Sequence, residues 1–85
     1  MAKLIPAAER IIRARALIRK ARGLPVPVEL GKNDFSYIAQ VKDLLRQARD
    51  MVKFIPMTAG VSADMKTEVK KIYEEADQAD REILS

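Results

Sequence analysis

Three features of this 85-residue sequence predict an all-α fold: an up-down-up three-helix bundle with an extended, proline-containing connector between the first and second helices. Apolar residues recur at alternating spacings of three and four in three separate stretches, the signature of a helix with one buried stripe. The apolar content, 48% of the chain, is aliphatic, with only 5% aromatic residues, and this suits helix packed on helix. Outside the connector, no stretch carries the strict alternation of a half-buried strand. The length predicts one helical domain over 1–85, burying roughly 60% of the surface its unfolded chain exposes. So thin a core leaves part of the stability to be supplied by partner contacts.

The first helix is predicted over about 6–22. Pro6 suits a first turn, and Leu4, Ala7, Ile11, Ala14, Ile18 and Ala21 form the stripe. Arg19, Lys20 and Arg22 complement the negative end of the helix dipole. Gly23 can take a left-handed cap, Leu24 can fold back onto Ile18, and Pro25 forbids continuation. In the connector, 23–33, Pro25 and Pro27 fix φ and push their predecessors toward extended backbone. Val26, Val28 and Leu30 alternate along it, and the expectation is that they cover the open end of the bundle. The sharper alternative is a strand offered to a partner sheet.

The second helix is predicted over about 34–54, capped by Asn33 or Asp34 and ended by Pro56 in a loop over 55–62. Ile38, Val41, Leu45, Ala48, Val52 and Ile55 form its stripe, widened by Tyr37, Leu44 and Met51. Ser62 is placed to cap a third helix over about 63–84, with Asp64 favouring the positive end of its dipole. Met65, Val69, Ile72, Ala76, Ala79 and Ile83 are its stripe.

The net charge of +4 is unevenly spread: residues 1–23 sum to +6, the connector to 0, the second helix with its loop to +1 and the last segment to −3. Opposite charge at the two ends of a chain serves either a polyanion or mutual pairing. Helical geometry favours pairing. Arg15, Arg19 and Arg22 lie on one flank of the first stripe, and Asp64, Glu68, Glu75 and Glu82 lie on one flank of the third. In a bundle these helices are parallel, so the two flanks meet. The antiparallel second helix brings Arg10 near Asp50 and Lys42 near Asp77. All these pairings require the helices to run clockwise, first to third, when the first is viewed receding. Such exposed pairs select an arrangement more than they hold it together.

With no histidine and no cysteine, the chain lacks the usual neutral-pH general base, the activated thiol, the softer metal ligands and any disulfide. Ser36, Thr58, Ser62 and Thr67 have no partner at a recognisable spacing. Gly23, Gly31 and Gly60 are isolated, so no phosphate-cradling loop is present. Glu74, Glu75, Asp77, Asp80 and Glu82 spread around the third helix as a solvated acidic face, without the spacing of a calcium loop. The expectation is a non-enzymatic protein with no cofactor, no metal site and no small-molecule substrate. No apolar run is long enough to span a membrane and no secretory leader is evident, so a cytoplasmic location is expected. Residues 1–23 have the basic amphipathic look of a transit peptide, but they lack serine, and two helices alone would have too little to pack on.

Two function classes remain. Ile5, Ile12 and Ala16 lie on the side of the first helix away from its main stripe, and such a second apolar strip flanked by arginines predicts a protein interface; the alternative is that the connector folds over them. The leading expectation is therefore a protein-protein interaction or assembly module, self-associating or a subunit of a complex. The alternative is a nucleic-acid-binding protein using basic stripes on the first two helices, Arg13 and Lys20 together with Lys42, Arg46, Arg49 and Lys53. Against it stand the nearby acids, the lack of an arginine-aromatic platform and an inter-helix loop long for a helix-turn-helix. Docking of the first helix on an anionic membrane ranks third, because its arginines point to several sides.

Overall fold

The computed structural model describes residues 6–84 and contains three α-helices and no strand among them: α1, Ala7–Arg22; α2, Phe35–Val52; and α3, Ala63–Leu84. The helices pack on one another as a three-helix bundle, with α1 against α2 the most extensive contact. The molecule is flat and elongated, 49 × 30 × 16 Å.

Local sequence explains the boundaries. Asp34 caps α2, its Oδ1 accepting the Tyr37 backbone N–H at 3.0 Å, and Ser62 Oγ accepts the Met65 N–H at 3.2 Å at the start of α3. The end of α1 differs from expectation. Gly23 stays right-handed at φ −90°, and the Leu24 N–H donates to the Ala21 carbonyl at 3.4 Å. A tightened last turn thus satisfies the carbonyls without a left-handed residue, and Pro25 still stops the helix. α2 ends at Val52, two residues short of the expected end, and Pro56 lies in a 3-10 turn, Ile55–Met57.

The connector is extended only in its first half. After Pro27 it coils through a turn into a second 3-10 turn, Gly31–Asn33, entered by Gly31 at φ +55°. The Gly31 N–H reaches back to the Pro27 carbonyl at 3.1 Å and closes this turn, and the left-handed backbone that follows is one a glycine adopts without steric cost. This coiling overturns the expected role of the connector as a cover. Val26 is 57% exposed, Leu30 58% and Val28 fully exposed; of its apolar side chains only Leu24 packs against the core.

The core is the union of the three stripes. Ile11, Ala14, Ile18 and Ala21 of α1 meet Tyr37, Val41, Leu45, Ala48 and Val52 of α2, Ile55 beyond it, and Val69, Ile72, Ala76 and Ala79 of α3. Ala7, Met65 and Ile83 pack at its margin, whereas Leu4 lies outside the described residues. On α2 the buried face is rotated from expectation, so that Tyr37 is buried and Ile38 only half-buried.

The ion pairs fix the hand. At about 100° per residue, Arg15 and Arg22 lie clockwise of the buried stripe when α1 is viewed receding, and Leu17 lies anticlockwise. Arg15 and Arg22 meet carboxylates of α3, while Leu17 lines a groove with Gln47 and Met51 of α2. The helices therefore run clockwise from α1 to α3.

Candidate interaction surface

The seam between α1 and α3 is bridged by three ion pairs. Arg15 Nη2 donates to Glu68 Oε2 at 2.6 Å and its Nε to Glu75 Oε2 at 3.4 Å, while Arg22 Nη1 donates to Glu82 Oε2 at 2.7 Å. The hydrogen bond from Arg15 holds the Glu68 carboxyl below its ordinary value, against the opposing effect of desolvation. Hydrogen bonds from Arg22 and Gln78 do the same for Glu82. Arg15 is raised in turn, first by its hydrogen bond to Glu68. Arg19, on the same flank, forms no ion pair among the described residues.

The sign of the pH dependence follows. A carboxyl whose folded-state pKa is depressed contributes stability above its unfolded value, and that contribution is lost as pH falls through the folded value. The bundle is therefore expected to melt at lower temperature on acidification below the ordinary carboxylate value of 4.5. Thermal unfolding followed by circular dichroism from neutral pH to about pH 3 measures this. Glu68→Gln is expected to flatten the acid limb. An unchanged limb would remove the Arg15 cluster from the account.

The basic stripe of α2 is also engaged. Arg49 Nη2 lies 2.7 Å from Asp77 and Lys42 Nζ 3.7 Å from Asp80, both on α3, while Arg46 pairs with Asp43 at 2.7 Å and Lys53 with Asp50 at 3.7 Å. The expected pairing of Lys42 with Asp77 is thus displaced by nearly one turn: Arg49 takes Asp77 and Lys42 moves to Asp80. Asp50 turns to Lys53 on its own helix. Arg13 is held by Glu9 at 3.3 Å, and Lys20 forms no ion pair among the described residues. Nor do the six cations share a surface. Arg13 and Lys20 border α2 at Gln47 and Met51, whereas Lys42 and Arg49 face α3 on the opposite flank. The acidic residues of α3 are likewise distributed, Glu75 and Glu82 toward α1 and Asp77 and Asp80 toward α2.

No protein-family model, curated protein or solved structure matches this chain.

Of the predicted interface strip, Ile12 is 59% exposed and Ala16 is exposed, so the connector does not fold over them; Ile5 lies outside the described residues. Ala16 also borders a shallow groove of about 320 Å³ lined by Arg13, Leu17, Lys20, Gln47 and Met51. More apolar surface lies at the two ends of the bundle. Val26, Val28, Leu30 and Phe35 are exposed at the connector end, and Phe54 and Met57 at the opposite end. The sequence led to the expectation that the three connector residues cover the open end of the bundle. The overlooked signal is the left-handed propensity of Gly31, which turns the segment away from the helices instead of across them.

Proposed function

We propose that this chain is a non-enzymatic helical module that acts through protein-protein contacts. The observation that carries the reading is the disposition of seven large apolar side chains, Ile12, Val26, Val28, Leu30, Phe35, Phe54 and Met57, all more than half exposed. Single exposed apolar residues are ordinary, but four of them within ten residues of the connector and the start of α2 form a concentration that a partner would cover. The intramolecular pairing of the α2 stripe weighs against the nucleic-acid reading. Each cation that turned to a phosphate would have to leave a carboxylate, so fewer net contacts are available than the sequence count implies. No described helix is long and apolar enough to cross a membrane.

Size exclusion with light scattering, at low and high salt and with and without duplex DNA, tests the reading. The expected result is no retention on DNA at low salt, and no change in that behaviour on combining Arg46→Glu with Arg49→Glu. A DNA complex that forms at low salt, dissolves at high salt and is lost in the double variant would replace protein contact with phosphate binding.

A further inference from the structure

Two surfaces at opposite ends of the bundle are matched in both apolarity and charge. At one end the connector presents Val28, fully exposed, between Val26 and Leu30, each more than half exposed. Beside Val28 is Glu29, which makes no ion pair or hydrogen bond among the described residues. At the other end, a groove of about 390 Å³ lies between the turn after α2 and the first half of α3, with Pro56, Val69 and Tyr73 as its apolar lining. Lys66 and Lys70 flank it, and neither pairs with a carboxylate among the described residues. These lysines stand out because every cation of the α2 stripe is engaged. The knob and the groove cannot meet within one chain, since the connector joins the end of α1 to the start of α2 and the groove lies near the end of α2.

We propose that the connector of one copy docks in the α3 groove of a second copy, Val28 entering among Pro56, Val69 and Tyr73 with the Glu29 carboxylate beside Lys66 and Lys70. This rests on the reading of the chain as a protein-contact module and names its partner. Charge selects the head-to-tail arrangement over symmetric ones. Knob against knob sets Glu29 opposite its copy, groove against groove sets Lys66 and Lys70 opposite theirs, and a pairing of α1 faces sets Arg19 and Lys20 beside theirs; like charges across an interface oppose each of these. A heterologous contact leaves one knob and one groove free on any open assembly, so growth continues to a closed ring or a chain.

The test is complementation between two defective copies. Val28→Ser with Glu29→Gln disables the knob and leaves the groove. Lys66→Glu with Lys70→Glu disables the groove and leaves the knob. All four positions are solvent-exposed, and circular dichroism checks that both variants fold as the parent does. In sedimentation across a concentration series, the parent is expected to gain mass with concentration, and each variant alone to associate at least about tenfold more weakly. Mixed, they are expected to form a one-to-one dimer and nothing larger, because the only intact knob and the only intact groove are used up.

A parent that stays monomeric throughout, or a mixture that does not pair, would overturn the proposal. Self-association undisturbed by either variant would also overturn it while leaving the protein-contact reading in place. That reading falls instead on salt-sensitive DNA binding, a different measurement.

Discussion

Replacing Leu45 with alanine is expected to destabilise the bundle by about 2 to 5 kcal/mol and to lower its melting temperature by roughly 10 to 25 °C. Leu45 is the largest of the fully buried side chains and stands midway along α2, between Val41 and Ala48. Truncation removes its transfer free energy and leaves a void whose walls are helices already held at fixed spacing, so little collapse can offset the loss. The consequence is large because the total is small: at about 0.05 to 0.15 kcal/mol per residue, a chain of 85 residues has roughly 4 to 13 kcal/mol in all. Gln40→Ala, at an exposed position of the same helix, is the control and should change stability by less than about 0.5 kcal/mol. Urea unfolding of both variants, compared by midpoint at constant slope, measures the difference. A Leu45→Ala protein within about 1 kcal/mol of the parent would mean that the three stripes do not form one close-packed core.

The stripes were legible because a helix with one buried face repeats its chemistry every three or four residues, and each of the three helices does so over at least four turns. The caps Asp34 and Ser62 were legible for a related reason, since each acts within three residues of itself. Pairing between α1 and α3 could also be derived, because once two parallel helices are assigned, the flank of each charge follows from its number. Its register was coarser. Arg15 reaches Glu68 at 2.6 Å as well as Glu75, since a long arginine side chain spans a full turn and chooses among carboxylates by local geometry.

The connector was the least legible element. Two prolines state what the backbone cannot do over Leu24 to Pro27, but the course of the next six residues hangs on Gly31, whose positive φ is permitted by its sequence and not required by it. Alternation of Val26, Val28 and Leu30 was therefore a misleading cue: the pattern assumes an extended segment, and the segment coils. For the α2 cations, partial pairing with the third helix was legible, whereas the individual partners were not. The spacing of Lys42, Arg46, Arg49 and Lys53 describes a stripe on one helix, whereas what remains for a partner depends on Asp77 and Asp80 of another helix and on Asp43 and Asp50 within the stripe's own.

Enlarging Ala76 to leucine is expected to cost about 1 to 3 kcal/mol although it adds apolar bulk to a domain with a thin core. Ala76 is completely buried on α3, and its chain neighbours point to different helices, Glu75 to Arg15 of α1 and Asp77 to Arg49 of α2. It thus sits on the line where all three helices converge, and alanine there, like Ala14 and Ala48 on the other two, permits close approach. A leucine forces α3 outward or its own χ angles off their minima, and outward movement stretches the ion pairs on both flanks together. Ala76→Gly should also destabilise, by about 1 kcal/mol or more, through lost helix propensity and a small void. Loss in both directions, read from urea midpoints, is the mark of a position whose volume is set by packing. A gain in stability for Ala76→Leu would show instead that α3 is loosely seated, and would make its ion pairs with Arg15 and Arg49 the principal contacts holding it to the other two helices.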